Sequence, residues 1–377
     1  MSTWPFYFNP LIVFNGIEVD VIDIGDADCI VVTKWHDSFP HRILIDGGCG
    51  GDAEVILDFL LRRGYTNFWA AVCTHLHNDH ASGLVKLARN PALTFQNGWM
   101  HNINRHISAE SLRRASSLTD GVKEVVEATK ELAAAFASRG ITPKEPFTGM
   151  SIAAYPDMSV LGPSLSYYRE VMTEFTDVKL SIPIPLATTE PEPSSFYHLA
   201  ALALGSAPNA AGSNSLASLF PPVTSSAMPP LFGALINSSV KENPTTQPFN
   251  NTSAILGVNF NGAELLFPGD AGSEALSYVG AEWHDLLYMG VPHHGSNGNL
   301  SQFDIERFRP KFAIISAKGD SSHPDRAIVS GLVKVGAMVG STHEHGNLWF
   351  YSGVVPARSD YHPIIGLRGT GNPQPLL

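Results

Sequence analysis

The stretch FWAAVCTHLHNDHASGL, Phe68 to Leu84, decides how the rest of the chain is read. Its first seven residues are apolar or small, as expected of a strand buried on both faces. Directly behind them stand His75, His77, Asp79 and His80, three imidazoles and a carboxylate within six positions. A surface turn needs none of these side chains. Alternate residues of a tight loop point the same way, so His75 and His77 can serve one metal ion while Asp79 and His80 turn toward a second. Such a centre still needs a carboxylate to bridge the ions and at least one more histidine, both from distant sequence.

The second half of the chain offers them. AELLFPGD ends an apolar run at Asp270, and DLLYMGVPHHGSNG ends another at His293 and His294. Both lie just beyond a predicted strand, where loops of a layered α/β fold converge. Upstream, Glu18–Ile24, Cys29–Trp35 and RILIDGG read as strands. A helix is expected over Ala53–Arg63, stopped by Gly64, and another over SGLVKLARN (82–90). Ser108–Gly140 has an amphipathic helical face with Gly121 as its weak point and Gly140 as a C-terminal cap. MSVLGPS reads as a strand entering a turn, and LSYYREVMTEF as a helix. Beyond residue 250, TSAILGVNF, AELLFPGD, KFAIISAKGD, AMVGST and NLWFYSG resume the strand pattern. Helices are expected at Ser273–Val279, Gln302–Phe308 and after SHPD. The rhythm describes two similar α/β halves. Between them, residues 181–250 are rich in Pro, Ser, Ala and Asn and are read as an ordered insertion or lid within one domain spanning 1–377.

Together THLHNDHASG, LLFPGDAG and VPHHGS resemble the metallo-β-lactamase superfamily, and most of all its ComEC-type (Rec2-like) metallo-hydrolase branch. VIDIGDADCIVV, ILIDGG, MSVLGPS, NNTSAIL, SHP and GSTHEHGNLWF fall in that branch's order too. The resemblance implies a four-layer αβ/βα sandwich with two divalent cations between its halves, zinc by preference, with Mn2+ or Fe2+ as alternatives. Carried over, His75 and His77 bind the first ion, Asp79 and His80 the second, and Asp270 bridges them. Within the histidine pair, His294 is taken as a second-ion ligand and His293 as a neighbour of the substrate's phosphate or leaving group. Many superfamily members supply a further first-ion histidine from mid-chain; here His101 and His106 are candidates by residue type only.

The implied chemistry is hydrolysis by a hydroxide held between the two ions, with no redox step. Asp79 would orient the nucleophile, and His293 or His323 would protonate or stabilise the leaving oxygen. Relatives in the branch include nuclease domains and a phosphorylcholine esterase, so a phosphodiester is the first expectation. A carboxylic ester, lactone or amide is the alternative, and a non-catalytic metal-stabilised binding module a third. Asp46, closing ILIDGG, is read either as a hydrogen-bond acceptor for a metal-bound histidine or as a turn residue. Asn250, Asn251 and Ser253 either line the pocket or cap a strand. His343 and His345 are read as a polar turn or a peripheral metal site.

Composition limits the partners. With 24 Lys and Arg against 35 Asp and Glu, the net charge is −11. No basic stripe is present to grip an extended nucleic acid through its phosphates, which leaves a small phosphoester or a short nucleic-acid end. Three cysteines are too few for a disulfide framework. The opening MSTWPFYFNPLIVFNG has no basic segment followed by an apolar one, and no apolar run reaches membrane-spanning length. A cytoplasmic location is therefore expected.

Overall fold

The computed structural model describes residues 12–116, 120–153, 157–175, 239–319 and 323–358. Most of the 181–250 insertion lies outside these. Two sheets form the centre. The first has six strands: β1 (Asn15–Val21), β2 (Ile30–His36), β3 (Phe39–Ile45), β4 (Asn67–Val72), β5 (Thr94–Trp99) and the last strand, β13 (Leu348–Val354), in the order β13-β1-β2-β3-β4-β5. The second has seven: β6 (Ser151–Ala153), β7 (Met158–Gly162), β8 (Ile255–Phe260), β9 (Ala263–Phe267), β10 (Tyr288–Gly290), β11 (Phe312–Ile315) and β12 (Met338–Ser341), ordered β12-β11-β10-β9-β8-β7-β6.

Each half runs as an antiparallel meander and then turns parallel. β1, β2 and β3 alternate in direction, after which β4 and β5 run parallel to β3. β7, β8 and β9 alternate likewise, after which β10, β11 and β12 follow β9 in parallel. The repeated pattern brings the C-terminal ends of β3, β4, β9, β10 and β11 into use as loop platforms.

Period-two alternation builds the layers. In β1, Ile17, Val19 and Val21 face the second sheet, where Leu256, Val258 and Phe260 of β8 and Leu265 and Phe267 of β9 meet them. In β4, Ala70 and Val72 join that inner core, whereas Ala71, and Cys73 just past the strand, face outward into a second one. Helices cover this outer face: α1 (Ala53–Arg62) with Ile56, Phe59 and Leu60, α2 (Asn78–Arg89) with Ala81, Leu84, Val85 and Ala88, and α4 (Asp120–Ala137) with Val125, Leu132 and Phe136. Across the molecule, Leu266, Ala313 and Ile315 pack beneath α7 (Gln302–Phe308) and α8 (Arg326–Lys334), through Ile305, Phe308, Ile328 and Leu332. Three apolar cores between four layers make the expected αβ/βα sandwich. Among the described residues, no helix is long and apolar enough to cross a membrane.

Several elements depart from expectation. β5 is not expected from the sequence, because its Gln96, Asn97 and Gly98 disfavour a strand. Its Gly98 is required: a Cβ there would lie 2.8 Å from the Phe136 ring. Within the expected helix over Ser108–Gly140 the described residues form α3 (Ala109–Ser116) and α4, with Gly121 inside α4, and the next helix, α5, spans Leu165–Phe175 as expected. Gly140 does end α4, at φ 72°. The helix at Ser273 (α6, Ser273–Leu276) is shorter than expected, and THEH forms a helical turn (α9, Thr342–His345) between β12 and β13. Lastly, α2 begins at Asn78, so Asp79 and His80 sit in its first turn rather than in a loop.

Candidate metal centre

The loop after β4 is held from three sides. Asp46, following β3, takes the left-handed conformation (φ 56°) and donates its backbone N–H to Val72. Its carboxylate, almost fully buried, accepts hydrogen bonds from the Thr74 backbone (2.7 Å) and the Thr74 hydroxyl (2.6 Å) and lies 2.9 Å from His80 Nδ1. Asp46 thus both ends its strand and supports a histidine. The adjoining glycines let α2 approach. A Cβ on Gly83 would fall 1.9 Å from the Gly47 carbonyl oxygen, and one on Gly47 would fall 2.3 Å from the Leu84 nitrogen. Backbone bonds from Gly47 to His80 and from Gly83 to Gly48 close the contact, both at 2.9 Å. The first turn of α2, and with it Asp79 and His80, is therefore fixed against the end of β3.

The opposing loops are equally braced. Asp270 follows β9, and its backbone N–H donates to Ser253 Oγ at 3.2 Å. The Gly272 N–H donates to Asn251 Oδ1 at 2.9 Å, and the Asn299 amide donates to the Asp270 carbonyl at 2.7 Å. Asn251 and Ser253 therefore support the Asp270 loop. After β10, His293 and His294 both adopt left-handed backbone conformations, at φ 49° and 55°. Two such residues in succession cost energy, and strain of this kind gathers where side chains must be aimed.

These loops bring two donor sets together. In the first, His75, His77 and Asp270 meet; in the second, Asp79, His80, Asp270 and His294. Within each set the donor atoms lie within 4.8 Å of one another. His75 Nε2 is 3.1 Å from His77 Nδ1 and 3.7 Å from Asp270 Oδ2. His80 Nε2 is 3.4 Å from Asp270 Oδ1 and 3.8 Å from Asp79 Oδ2, which is 3.5 Å from His294 Nε2. Ligands bound tetrahedrally at ~2.0–2.2 Å stand roughly 3.3–3.6 Å apart. The five separations, from 3.1 to 3.8 Å, bracket that spacing. Moreover, Asp270 Oδ1 and His80 Nε2 are buried without a hydrogen-bond partner, which is costly unless something else satisfies them. A divalent cation in each set fits the donors present.

Electrostatics suit the same use. Burial, reinforced by His80 and His77, holds His75 well below the ordinary histidine range, and burial also lowers His77. Both rings are thus neutral, with lone pairs available. Burial opposes the charge on Asp270, but the neighbouring His80 outweighs it and holds the carboxyl well below the ordinary carboxylate range. A third set, Asp28, Asp46 and His80, lies behind the second, where Asp46 occupies His80 Nδ1 and leaves Nε2 to face Asp79 and Asp270. Burial pushes Asp28 up to about 6. His294 is oriented by the Ser316 carbonyl, 3.0 Å from its Nδ1.

Of the remaining sequence candidates, His323 lies beside this group, its ring 5.5 Å from His293 and 5.9 Å from His294. His101 belongs elsewhere: it is buried between Phe147 and Tyr168, with centroids at 4.9 and 4.5 Å, and is in none of the donor sets among the described residues. His106 pairs with Glu145 at 2.8 Å. His343 and His345 bond the Ser341 hydroxyl and carbonyl around their helical turn, and neither is in a donor set among the described residues. Sequence reading missed Asn299, Ser316, Asp28 and Phe249, whose ring lies 5.0 Å from His77. Only Asp28, in DIGDAD before a strand, carried any signal.

No family model and no curated protein matches the sequence. Among solved structures, the chain is similar to the metallo-beta-lactamase fold protein YhfI from Bacillus subtilis, at 9% identity and TM-score 0.41, over 90% of this chain and 100% of that one. It is also similar to a Thermotoga maritima protein described as a candidate metallo-beta-lactamase, at 15% identity and TM-score 0.27, over 39% of this chain and 66% of that one.

Proposed function

We propose that the protein is a dinuclear metal-dependent hydrolase that cleaves a phosphoester, either a small phosphodiester or a short nucleic-acid end. One arrangement carries the proposal: two sets of nitrogen and carboxylate donors share Asp270, and His80 Nε2 and Asp270 Oδ1 are buried there 3.4 Å apart, neither with a well-formed hydrogen bond. His75, His77 and Asp270 would hold one ion. Asp79, His80, Asp270 and His294 would hold the other, zinc being the metal that imidazole and carboxylate favour in this geometry. Two such cations make water nucleophilic near neutral pH and stabilise charge developing on the substrate's oxygens.

The chain's own groups do the remaining work. Asp79, about a third exposed, is the carboxylate of the set that water and substrate can reach. His293 and His323, with side chains 27% and 21% exposed, stand with their rings 5.5 Å apart, where His323 would meet the oxygens of a phosphate and His293 a water or hydroxyl beside them. Phe249 packs against His75 and His77 and shields the first donor set from bulk water. The order of motifs, similar to the ComEC-type branch, favours phosphorus over an acyl carbon.

The test is a metal and substrate survey of chelator-free protein. Elemental analysis is expected to find two transition-metal ions per chain, most of them lost in Asp270→Ala. A matched panel of activated phosphodiester, phosphomonoester, carboxylic ester and lactone should show phosphodiester cleavage that Asp79→Ala abolishes. Absence of bound metal, or equal rates in both proteins, would end the proposal. Turnover confined to the ester or lactone would reassign the substrate.

A further inference from the structure

We propose that Asn299 is a positioning residue that fixes a proton on Nδ1 of His293, so that the singly protonated form of the ring presents the Nε2 lone pair to the site. This deepens the hydrolase reading and rests on it for its functional meaning. In that reaction His293 is then a hydrogen-bond acceptor for a water or a substrate hydroxyl, and proton donation to a leaving oxygen falls to another group.

The argument is one of hydrogen-bond polarity. Asn299 is fully buried, and its side-chain amide has two neighbours. One end lies 2.7 Å from the Asp270 carbonyl oxygen, which can only accept, so that end is the NH2 group. The other end is consequently the amide oxygen, which also can only accept, and it lies 2.8 Å from His293 Nδ1. Nδ1 must therefore be the donor. Asn250 Nδ2 stands 3.4 Å from the same nitrogen and donates one hydrogen to Thr246 Oγ1 at 2.9 Å; its other hydrogen faces a contact far longer than the 2.8 Å between Nδ1 and the Asn299 oxygen, which therefore sets the polarity. With Nδ1 protonated, the neutral imidazole has a bare Nε2, located 3.8 Å from Asp270 Oδ2.

The same amide thus holds the backbone of Asp270 and the ring of His293, two groups 23 positions apart in sequence. The left-handed backbone at His293 (φ 49°, ψ 52°) turns the ring toward Asn299. Releasing Asn299 would free the ring to take the other tautomer without removing any donor of the two metal sets.

Long-range proton–nitrogen NMR of zinc-loaded, histidine-labelled full-length protein at mildly alkaline pH reads the tautomer directly, His293 being identified by the signal lost in His293→Gln. The wild type is expected to show protonated Nδ1 and bare Nε2 at this ring. Asn299→Asp retains an acceptor for Nδ1–H and should keep that pattern, whereas the near-isosteric Asn299→Leu should shift the ring toward protonated Nε2. A wild-type spectrum with the proton on Nε2 would overturn the proposal, as would an Asn299→Leu spectrum unchanged from wild type. The wild-type measurement decides even if a variant fails to fold. A failure of the hydrolase reading would appear instead as missing metal or turnover, with the tautomer as stated.

Discussion

Asp46→Asn isolates the support behind the second donor set. The substitution keeps shape, and Asn tolerates the left-handed backbone at this position, so no new strain is added. Hydrogen bonding changes. The carboxylate accepts from the Thr74 backbone and hydroxyl and faces His80 Nδ1 at 2.9 Å. An amide has one oxygen. If that oxygen stays on the Thr74 N–H, the NH2 group faces His80 Nδ1 and drives the imidazole proton to Nε2, the atom that points at Asp270 and Asp79. If the amide is reversed, NH2 meets the Thr74 N–H and a buried donor goes unpaired. Either way one charge-assisted hydrogen bond is lost, at about 1.5–3 kcal/mol. Burial pushes the Asp46 carboxyl up from its ordinary value, so removing the charge returns part of this and the cost should fall near the lower figure. Metal affinity should fall by about 10–100-fold, the usual consequence of losing such a support. Urea unfolding of chelator-treated protein measures the first quantity, and zinc competition against a chromophoric chelator the second. A folded variant that binds zinc within twofold of wild type would refute the idea that Asp46 acts through His80.

Two further outcomes test the fold around the site. Burial lowers His101 to about 3, so the folded protein keeps this ring neutral while the unfolded chain protonates it near 6.5. Below that value the unfolded state binds the extra proton, so stability falls as pH drops from about 6.5 toward 3. His101→Phe should therefore be spared about 2 kcal/mol of the loss that wild type suffers between pH 7 and 5; equal losses in paired urea melts would contradict it. Gly83→Ala places a Cβ 1.9 Å from the Gly47 carbonyl oxygen and should cost ~3 kcal/mol or more by overpacking. A melting temperature equal to wild type would mean that α2 does not depend on this close approach.

The parts of this molecule legible in sequence are those governed by local periodicity and by chemistry concentrated in short motifs. Val19 and Val21, or Leu265 and Phe267, announce a strand face because alternation is enforced by the pleat itself. His75, His77, Asp79 and His80 stand out because no ordinary turn needs them, and Asp270 and His294 because each follows an apolar run. The structure brings all six together, though their order along the chain says nothing of their distances. What stayed hidden depends on partners far away in sequence. β5 is a strand because β4 binds its backbone and Phe136 needs the space over Gly98, despite a composition that disfavours it. Asp79 and His80 belong to a helix because Gly47 and Gly83 allow one to start against the end of β3, a tertiary contact that overrides the local reading of a loop. Asn299 offers no motif at all. Its importance lies in the direction of two hydrogen bonds, one to the Asp270 carbonyl and one to His293, and residue spacing carries no record of direction. The same limit applies to the adjacent histidines: sequence supplies two identical rings, and only the acceptors behind them, the Ser316 carbonyl for His294 and the Asn299 amide oxygen for His293, give each ring its own polarity and its own place in the site.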